Sequence, residues 1–368
     1  MRCDKIIKII EDWAPKSIAW EQDNVGLQVG SLGREVKNIL ICLDVDEKVV
    51  NEASRKNCNL IISHHPILFR SLKKLDTYRD KRSRIIEKLI KKDITLYSAH
   101  TNLDFTKDGV SFQLAKKLKL TNQKFLLNLS SNQNKLIVFV PINYTDKVVE
   151  AMHLAGAGII GEYSNCSFRT NGTGTFKGSE KSNPKVGVRG KIESVEEVRV
   201  EVLVNSFDLN KVVAAMKKVH PYEEVAYDIY PLVNDNVNYG MGVIGELQKA
   251  LSEKEFLNHV TKSLRIKNLR FSRGSKSKIK KVAVCGGSGT DLLDTALHHN
   301  ADAFVTADVK YHTFQDAENE ILLIDAGHFE TEIPVLDEVK RRLEKSLIDK
   351  TKVYKYSGST NPIVFYNN

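Results

Sequence analysis

Two series of short apolar runs, each interrupted by helical patterns, constrain the fold of this chain more than any other feature. Asn38-Ile-Leu-Ile-Cys-Leu43 reads as a buried strand, Glu47 to Lys56 as a helix and Leu60-Ile-Ile62 as a second strand. Arg82 to Lys92 reads as a second helix and Ile94 to Ser98 as a third strand. Strands this short and uniformly apolar, alternating with helices, predict a mostly parallel sheet covered on both faces. After residue 280 the order returns, with strands at Lys281-Val-Ala-Val-Cys285, Ala303-Phe-Val305 and Ile321 to Ile324, and a helix over Asp291 to His298.

A shift of 243 positions maps Ile39-Leu-Ile-Cys42 onto Val282-Ala-Val-Cys285 without a gap. The same shift carries Ala53 onto Ala296, Asn57 onto Asn300 and Ile62-Ser63 onto Val305-Thr306. Duplication of an α/β half accounts for this match, with chance likeness of two generic strand–helix–strand units as the alternative.

Between the halves the pattern changes. Lys135 to Val140 and Glu197 to Asn205 are strand-like, while Tyr144 to Ala155 and Asp208 to His220 are helical. The stretch Ser164 to Gly190 is rich in Gly, Ser, Thr and Asn, as hairpin turns are, and Gly172-Thr-Gly174 reads as one such turn. This order is that of a ferredoxin-like α+β module. The expected organisation is therefore an α/β half over 1–130, an inserted α+β domain over 131–232 and a second α/β half over 233–368.

At 368 residues, several domains are expected. No run approaches the roughly 20 apolar residues that span a bilayer. The opening Met1-Arg2-Cys3-Asp4 lacks a signal-peptide pattern, so a cytoplasmic protein is expected. Five dispersed cysteines without a Cys-x-x-Cys pair argue against a disulfide framework or a thiolate zinc finger, and Cys42 and Cys285 read as buried small hydrophobes. The net charge of +9 leaves nucleic acid open as a partner. Much of the excess lies in Lys81 to Lys92 and Lys276 to Lys281, which read more simply as solvated basic faces.

Three fragments at strand ends carry chemistry. Ser63-His64-His65-Pro66 follows a strand, at the carboxyl edge where functional groups collect in a parallel sheet. On an extended backbone the two imidazoles diverge and suit two metal ions better than one, and a strand-capping loop is the alternative. His100-Thr-Asn-Leu-Asp104 places a carboxylate after the next strand, where a turn cap is the bland reading. In Asp325-Ala-Gly-His328-Phe-Glu-Thr-Glu332, His328 and Glu332 are spaced i, i+4 and share one helix face, with a helical surface contact as the bland reading, whereas Glu330 points elsewhere as a solvated carboxylate. Together His64, His65, Asp104, His328 and Glu332 make a mixed set suited to two divalent ions about 3.5–4 Å apart, zinc first and iron or manganese next. Glu332 offers two oxygens and so can bridge them. Such a centre lowers the pKa of bound water and delivers hydroxide to an electrophile.

These fragments, with Asp23-Asn-Val-Gly-Leu-Gln-Val-Gly30 and Thr306-Ala-Asp-Val-Lys-Tyr-His312, resemble the Nif-three-like dinuclear metal-centre family, often labelled GTP cyclohydrolase I type 2 homologues. The resemblance implies that His65 and Asp104 serve one metal ion, His64 and His328 the other, and that Glu332 bridges. It also implies a ring-shaped homohexamer and a PII-like inserted domain that includes His220-Pro-Tyr-Glu-Glu224. The implied activity is metal-dependent hydrolysis of a nucleotide or another small polar substrate, such as the ring opening of a purine. The alternatives are a non-catalytic regulatory assembly with a ligand-sensing insert and a ring that threads nucleic acid.

Asp308, Lys310 and His312 fall at the strand end matching His65 and beyond, as substrate or ligand-orienting groups or as a salt-bridged corner. His100 either orients Asp104 or, with His312, acts as a catalytic acid. Gly286-Gly-Ser-Gly289 reads as a tight turn, with a phosphate cradle as the alternative. His153, His259, His298 and His299 lack partner spacing and read as structural.

Overall fold

The computed structural model describes residues 1–70, 72–347 and 351–366. Its contacts form two compact units, one of Met1–Leu127 with Tyr239–Asn368 and one of Asn128–Asn238. Among the described residues no helix is long and apolar enough to cross a membrane.

The first unit contains two sheets. One consists of β1 (Gly26–Val29), β2 (Asn38–Cys42), β3 (Leu60–Ser63) and β4 (Thr95–Ser98), joined by a strand from far along the chain, Lys352–Lys355, in the order β1-β4-β3-β2-Lys352–Lys355. Here β2, β3 and β4 are parallel, and β1 runs antiparallel at the edge. Every residue of β3 and β4 is buried, as expected of strands covered on both faces. Cys3–Trp13 and Val335–Ser346 cover one face of this sheet through Ile6, Ile10, Val339 and Leu343. Glu47–Arg55 and Lys81–Lys91 cover the other through Val49, Val50, Ile86 and Leu89.

The second unit, Asn128–Asn238, is built from β6 (Gln133–Pro141), β7 (Phe168–Lys177), β8 (Ile192–Asn205) and β9 (Tyr227–Leu232), which follow β5 (Thr121–Ser130) along the chain. Its sheet has the order β7-β8-β6-β9 and is antiparallel throughout. Thr145–Leu154 and Leu209–Val219 pack on one face, bringing Val148, Met152, Val212 and Met216 over Val138, Val200 and Val202 of the sheet. That is the ferredoxin-like order expected of the insert. Gly172-Thr-Gly174, however, is no turn. It lies inside β7, opposite Glu196, Glu197 and Val195 of β8. A Cβ at Gly174 would come within 2.2 Å of Glu197 Oε2, so the glycine is there to leave room for a neighbouring carboxylate.

The remaining strands are β10 (Asp235–Leu251), β11 (Arg270–Ser272), β12 (Ile279–Val284), β13 (Ala303–Thr306), β14 (Leu322–Asp325) and β15 (Lys352–Lys355). The second sheet of the first unit runs β11-β14-β13-β12-β10-β5. It repeats the arrangement of the first: three parallel strands with an antiparallel edge strand beside the third. The register repeats as well. Ile39 pairs with Leu60, and Val282 with Ala303, each 243 positions on. Helix ends match in the same way. Asn57 and Asn300 adopt left-handed φ of 53° and 54°. Cys58 N donates to Ala53 O as Ala301 N does to Ala296 O.

The halves exchange elements, which a division at 130 and 233 does not anticipate. Val335–Ser346 and β15 come from the second half but complete the first sheet. Val110–Lys117 and β5 come from the first half but belong to the second sheet and its core, through Phe112, Leu114 and Phe125. In both halves the exchange begins at the short helix after the third parallel strand, Thr101–Asp104 or His328–Glu332.

Candidate metal centre

The two short helices meet the carboxyl end of β3, and five side chains converge there. The β2–β3 ladder continues past Ser63, with His64 N donating to Cys42 O and His65 N to Leu43 O. Both imidazoles are therefore held on an extended backbone. Their rings lie 4.9 Å apart at 50° and address different oxygens of one carboxylate. His64 Nε2 is 3.7 Å from Glu332 Oε1, and His65 Nε2 is 3.1 Å from Glu332 Oε2. His328, one helical turn before Glu332, places Nε2 3.0 Å from Oε1. Asp104 Oδ1 lies 3.6 Å from His64 Nε2.

Glu332 is held in place by the glycine turn after β12. Gly287 has φ of +65°, and a Cβ there would lie 2.3 Å from Glu332 Oε1. Three of the turn's four amides are already used: Gly286 N donates to Ser111 Oγ, Gly287 N to Thr331 Oγ1 and Gly289 N to Thr306 Oγ1. With three N–H groups spent on hydroxyls, Gly286–Gly289 is a tight turn roofing the cluster and does not cradle a phosphate.

Each imidazole turns Nε2 inward because its Nδ1 is fixed outside. His64 Nδ1 donates to Ala99 O at 2.8 Å. His65 Nδ1 bonds Asp44 Oδ1 at 2.8 Å, and His328 Nδ1 bonds Asp308 Oδ2 at 2.6 Å. A histidine that donates from Nδ1 presents a lone pair at Nε2, the arrangement of a metal-ligating imidazole. His100 bonds both oxygens of Asp23 at 3.0 Å through Nδ1, and so does not orient Asp104. What holds Asp104 is backbone, since its N–H donates to His100 O. The His100 ring lies 5.2 Å from that of His64 and 5.4 Å from that of His65.

Among the described residues, two groups of ligand atoms lie within 4.8 Å of one another, His65 with His328 and Glu332, and His64 with His65 and His100. Among the described residues three buried atoms of the cluster make no well-aligned hydrogen bond: His64 Nε2, Asp104 Oδ1 and Glu332 Oε2, the last with His65 Nε2 beside it at 3.1 Å. The electrostatics follow from crowding a buried carboxylate, Glu332, and a half-buried one, Asp104, among imidazoles. Burial would raise Glu332, but His64, His328 and His65 hold it well below the usual carboxylate range. Burial pushes Asp104 well above that range, and the charge of Glu332 adds to the effect. Burial lowers His64. It would lower His65 and His328 too, but Asp44 and Glu332 push His65 up to about 10, and Glu332 and Asp308 push His328 up to about 9.

Other groups fall farther out. Lys310 is exposed, and His312 is exposed with Nδ1 bonded to Gln315 Oε1. Glu330 is half-buried rather than solvated, accepting from Asn361 Nδ2. Cys285 is half-buried and Cys42 fully buried, and burial pushes the Cys285 thiol up to about 12. The orienting carboxylates Asp23 and Asp44 were not singled out as site residues from the sequence. Asp23 opens the Asp23–Gly30 segment and Asp44 stands just beyond a strand end, and those positions are the signal the sequence offers.

The duplicated α/β halves and the histidine–carboxylate cluster at their junction define a class of protein built around a candidate metal-binding group. The chain belongs to the Duf34/NIF3 (NGG1p interacting factor 3) family, whose profile matches residues 1–362. It is 44% identical over 365 residues to a "GTP cyclohydrolase 1 type 2 homolog" of Halalkalibacterium halodurans, covering 98% of each chain. It is 40% identical over 366 residues to a protein of the same name from Bacillus subtilis, again covering 98% of each. Among solved structures, a Bacillus cereus protein related to NIF3 superimposes with a TM-score of 0.88 at 39% identity, covering 100% of this chain and 99% of that one.

Proposed function

We propose that the cluster binds two divalent metal ions per chain, zinc first and iron or manganese next, and serves a metal-dependent hydrolase acting on a nucleotide or another small polar molecule. The observation that carries this reading is the trio of buried atoms that, among the described residues, make no well-aligned hydrogen bond, His64 Nε2, Asp104 Oδ1 and Glu332 Oε2. A buried polar atom left unpaired costs about 1–3 kcal/mol, and ligation of a cation removes that cost from all three. One imidazole nitrogen and two carboxylate oxygens, with two more imidazoles beside them, form a donor set that fits such an ion.

His65 and Asp104 would hold one ion, His64 and His328 the other, and Glu332 would bridge. The ions supply Lewis acidity toward a polar substrate oxygen. His100 is fixed by Asp23 at Nδ1, which leaves Nε2 to hold or move a proton. His312 and Lys310 stand farther off as substrate contacts. The names carried by the relatives support a nucleotide substrate. We also place the protein in the cytoplasm as a homohexameric ring.

Elemental analysis of the wild type beside His64→Ala and Glu332→Ala, coupled to a hydrolysis screen that includes GTP, tests the reading. About two ions per wild-type chain, lost in both variants together with a measured turnover, is the expected result. Metal without turnover of any substrate overturns the hydrolase, and no metal after reconstitution overturns the centre itself.

A further inference from the structure

The unit Asn128–Asn238 has a cavity of its own, about 760 Å³ in volume, where β7 ends and the chain enters residues 178–190. This segment is a built loop: Gly190 N donates to Gly178 O, and Asn183 N donates to Glu223 Oε1 at 2.8 Å. The second bond ties it to the His220–Glu224 stretch.

Several of the charges lining the cavity form no ion pair among the described residues. Glu197 of β8 is buried, 9% exposed, and accepts a bond from the Tyr222 hydroxyl at 2.9 Å. Among the described residues it forms no ion pair, although carboxylates this buried are almost always paired. Gly174 gives its second oxygen room. Lys177, Lys181 and Lys185 line the same cavity, and among the described residues none of the three forms an ion pair. Glu223 is occupied by Asn183, which leaves Glu224 as the other acidic group of the lining. Phe176 and Tyr222 add an aromatic wall, their ring centroids 6.0 Å apart.

A ligand that satisfies all of this carries N–H donors at one end for the carboxylate, a flat apolar body, and negative charge for three ammonium groups. The volume falls within the roughly 300–1,000 Å³ of small-molecule sites and far exceeds the needs of a single ion. We infer that the inserted unit binds a nucleotide in this cavity. Its base donors meet Glu197, its ring lies against Phe176 and Tyr222, and its phosphates meet Lys177, Lys181 and Lys185. This site is distinct from the metal centre, and its occupancy does not depend on a metal ion.

Calorimetric titration of the full chain, freed of metal with chelator, with GTP, ATP and inorganic triphosphate tests the inference. One nucleotide per chain is expected. The rim double variant Lys181→Glu/Lys185→Glu, which changes exposed residues only, should weaken nucleotide binding about tenfold or more. Glu197→Gln should weaken the nucleotides but not inorganic triphosphate, with circular dichroism verifying the fold. Glu332→Ala should bind as the wild type does. No binding of either nucleotide overturns the site, as does inorganic triphosphate binding as tightly as GTP and ATP. Loss of binding in Glu332→Ala with retention in the lysine variant also overturns it, because the nucleotide would then sit at the metal centre.

Discussion

The Nε2 atoms of His65 and His328, which come from opposite halves of a duplicated chain, lie 3.4 Å apart with Glu332 beside both. Two nitrogens that close need a positive charge between or upon them. The outward bonds to Asp44 and Asp308 determine how well a cation is served.

Asp44→Ala and Asp308→Ala should therefore leave every proposed ligand in place yet weaken divalent-metal binding about 10- to 100-fold each. Competition against a chromophoric chelator measures this. Glu330→Ala, whose partner is Asn361, should leave the affinity unchanged.

Gly287→Ala combines a left-handed backbone with a Cβ directed at Glu332 Oε1. The backbone alone costs about 1–2 kcal/mol. Urea denaturation should show at least that loss, and elemental analysis should show metal released as Glu332 is displaced.

Asp23 is held down to about 2: burial would raise it, but His100 and Thr101 outweigh burial. Because its folded value lies below the unfolded one, its contribution is present above about pH 4 and is lost as pH falls toward 2. The shift is worth about 2 kcal/mol. Asp23→Asn should cost that much by urea denaturation at pH 7, and the difference from wild type should shrink to roughly half at pH 3.

Asn57 and Asn300 occupy the same left-handed position in the two halves. Asn57→Gly and Asn300→Gly should each stabilise by about 0.5–1 kcal/mol, with similar gains measured by chemical denaturation. A gain at one position and a loss at the other would mean that the two helix ends are not equivalent.

Strand and helix positions were legible where apolar periodicity is strong, as at Asn38–Cys42 and its counterpart Ile279–Val284. The five clustered side chains were legible because each follows a strand end. β15 was not, because Lys-Val-Tyr-Lys is short and half charged, and its partner β2 is far away in sequence. β7 was missed because Asn171, Gly172 and Gly174, residues that disfavour strands and mark turns, interrupt its Thr and Phe positions. Ten cross-strand pairs with β8 hold it instead. The bonds from Asp23 to His100 and from Asp44 to His65 depend on how separate loops come together in space.

The exchanged strand β15 has a consequence for synthesis. Lys352 N donates to Asn38 Oδ1 across 314 positions, so the edge of β2 stays open until residues 352–355 have been made. A nascent chain that has emerged only through its first half presents a bare parallel edge, the kind of surface on which other chains pair. Closure of that half is a late, long-range event. Its rate should track the arrival of residues 352–355 rather than the completion of the first half itself.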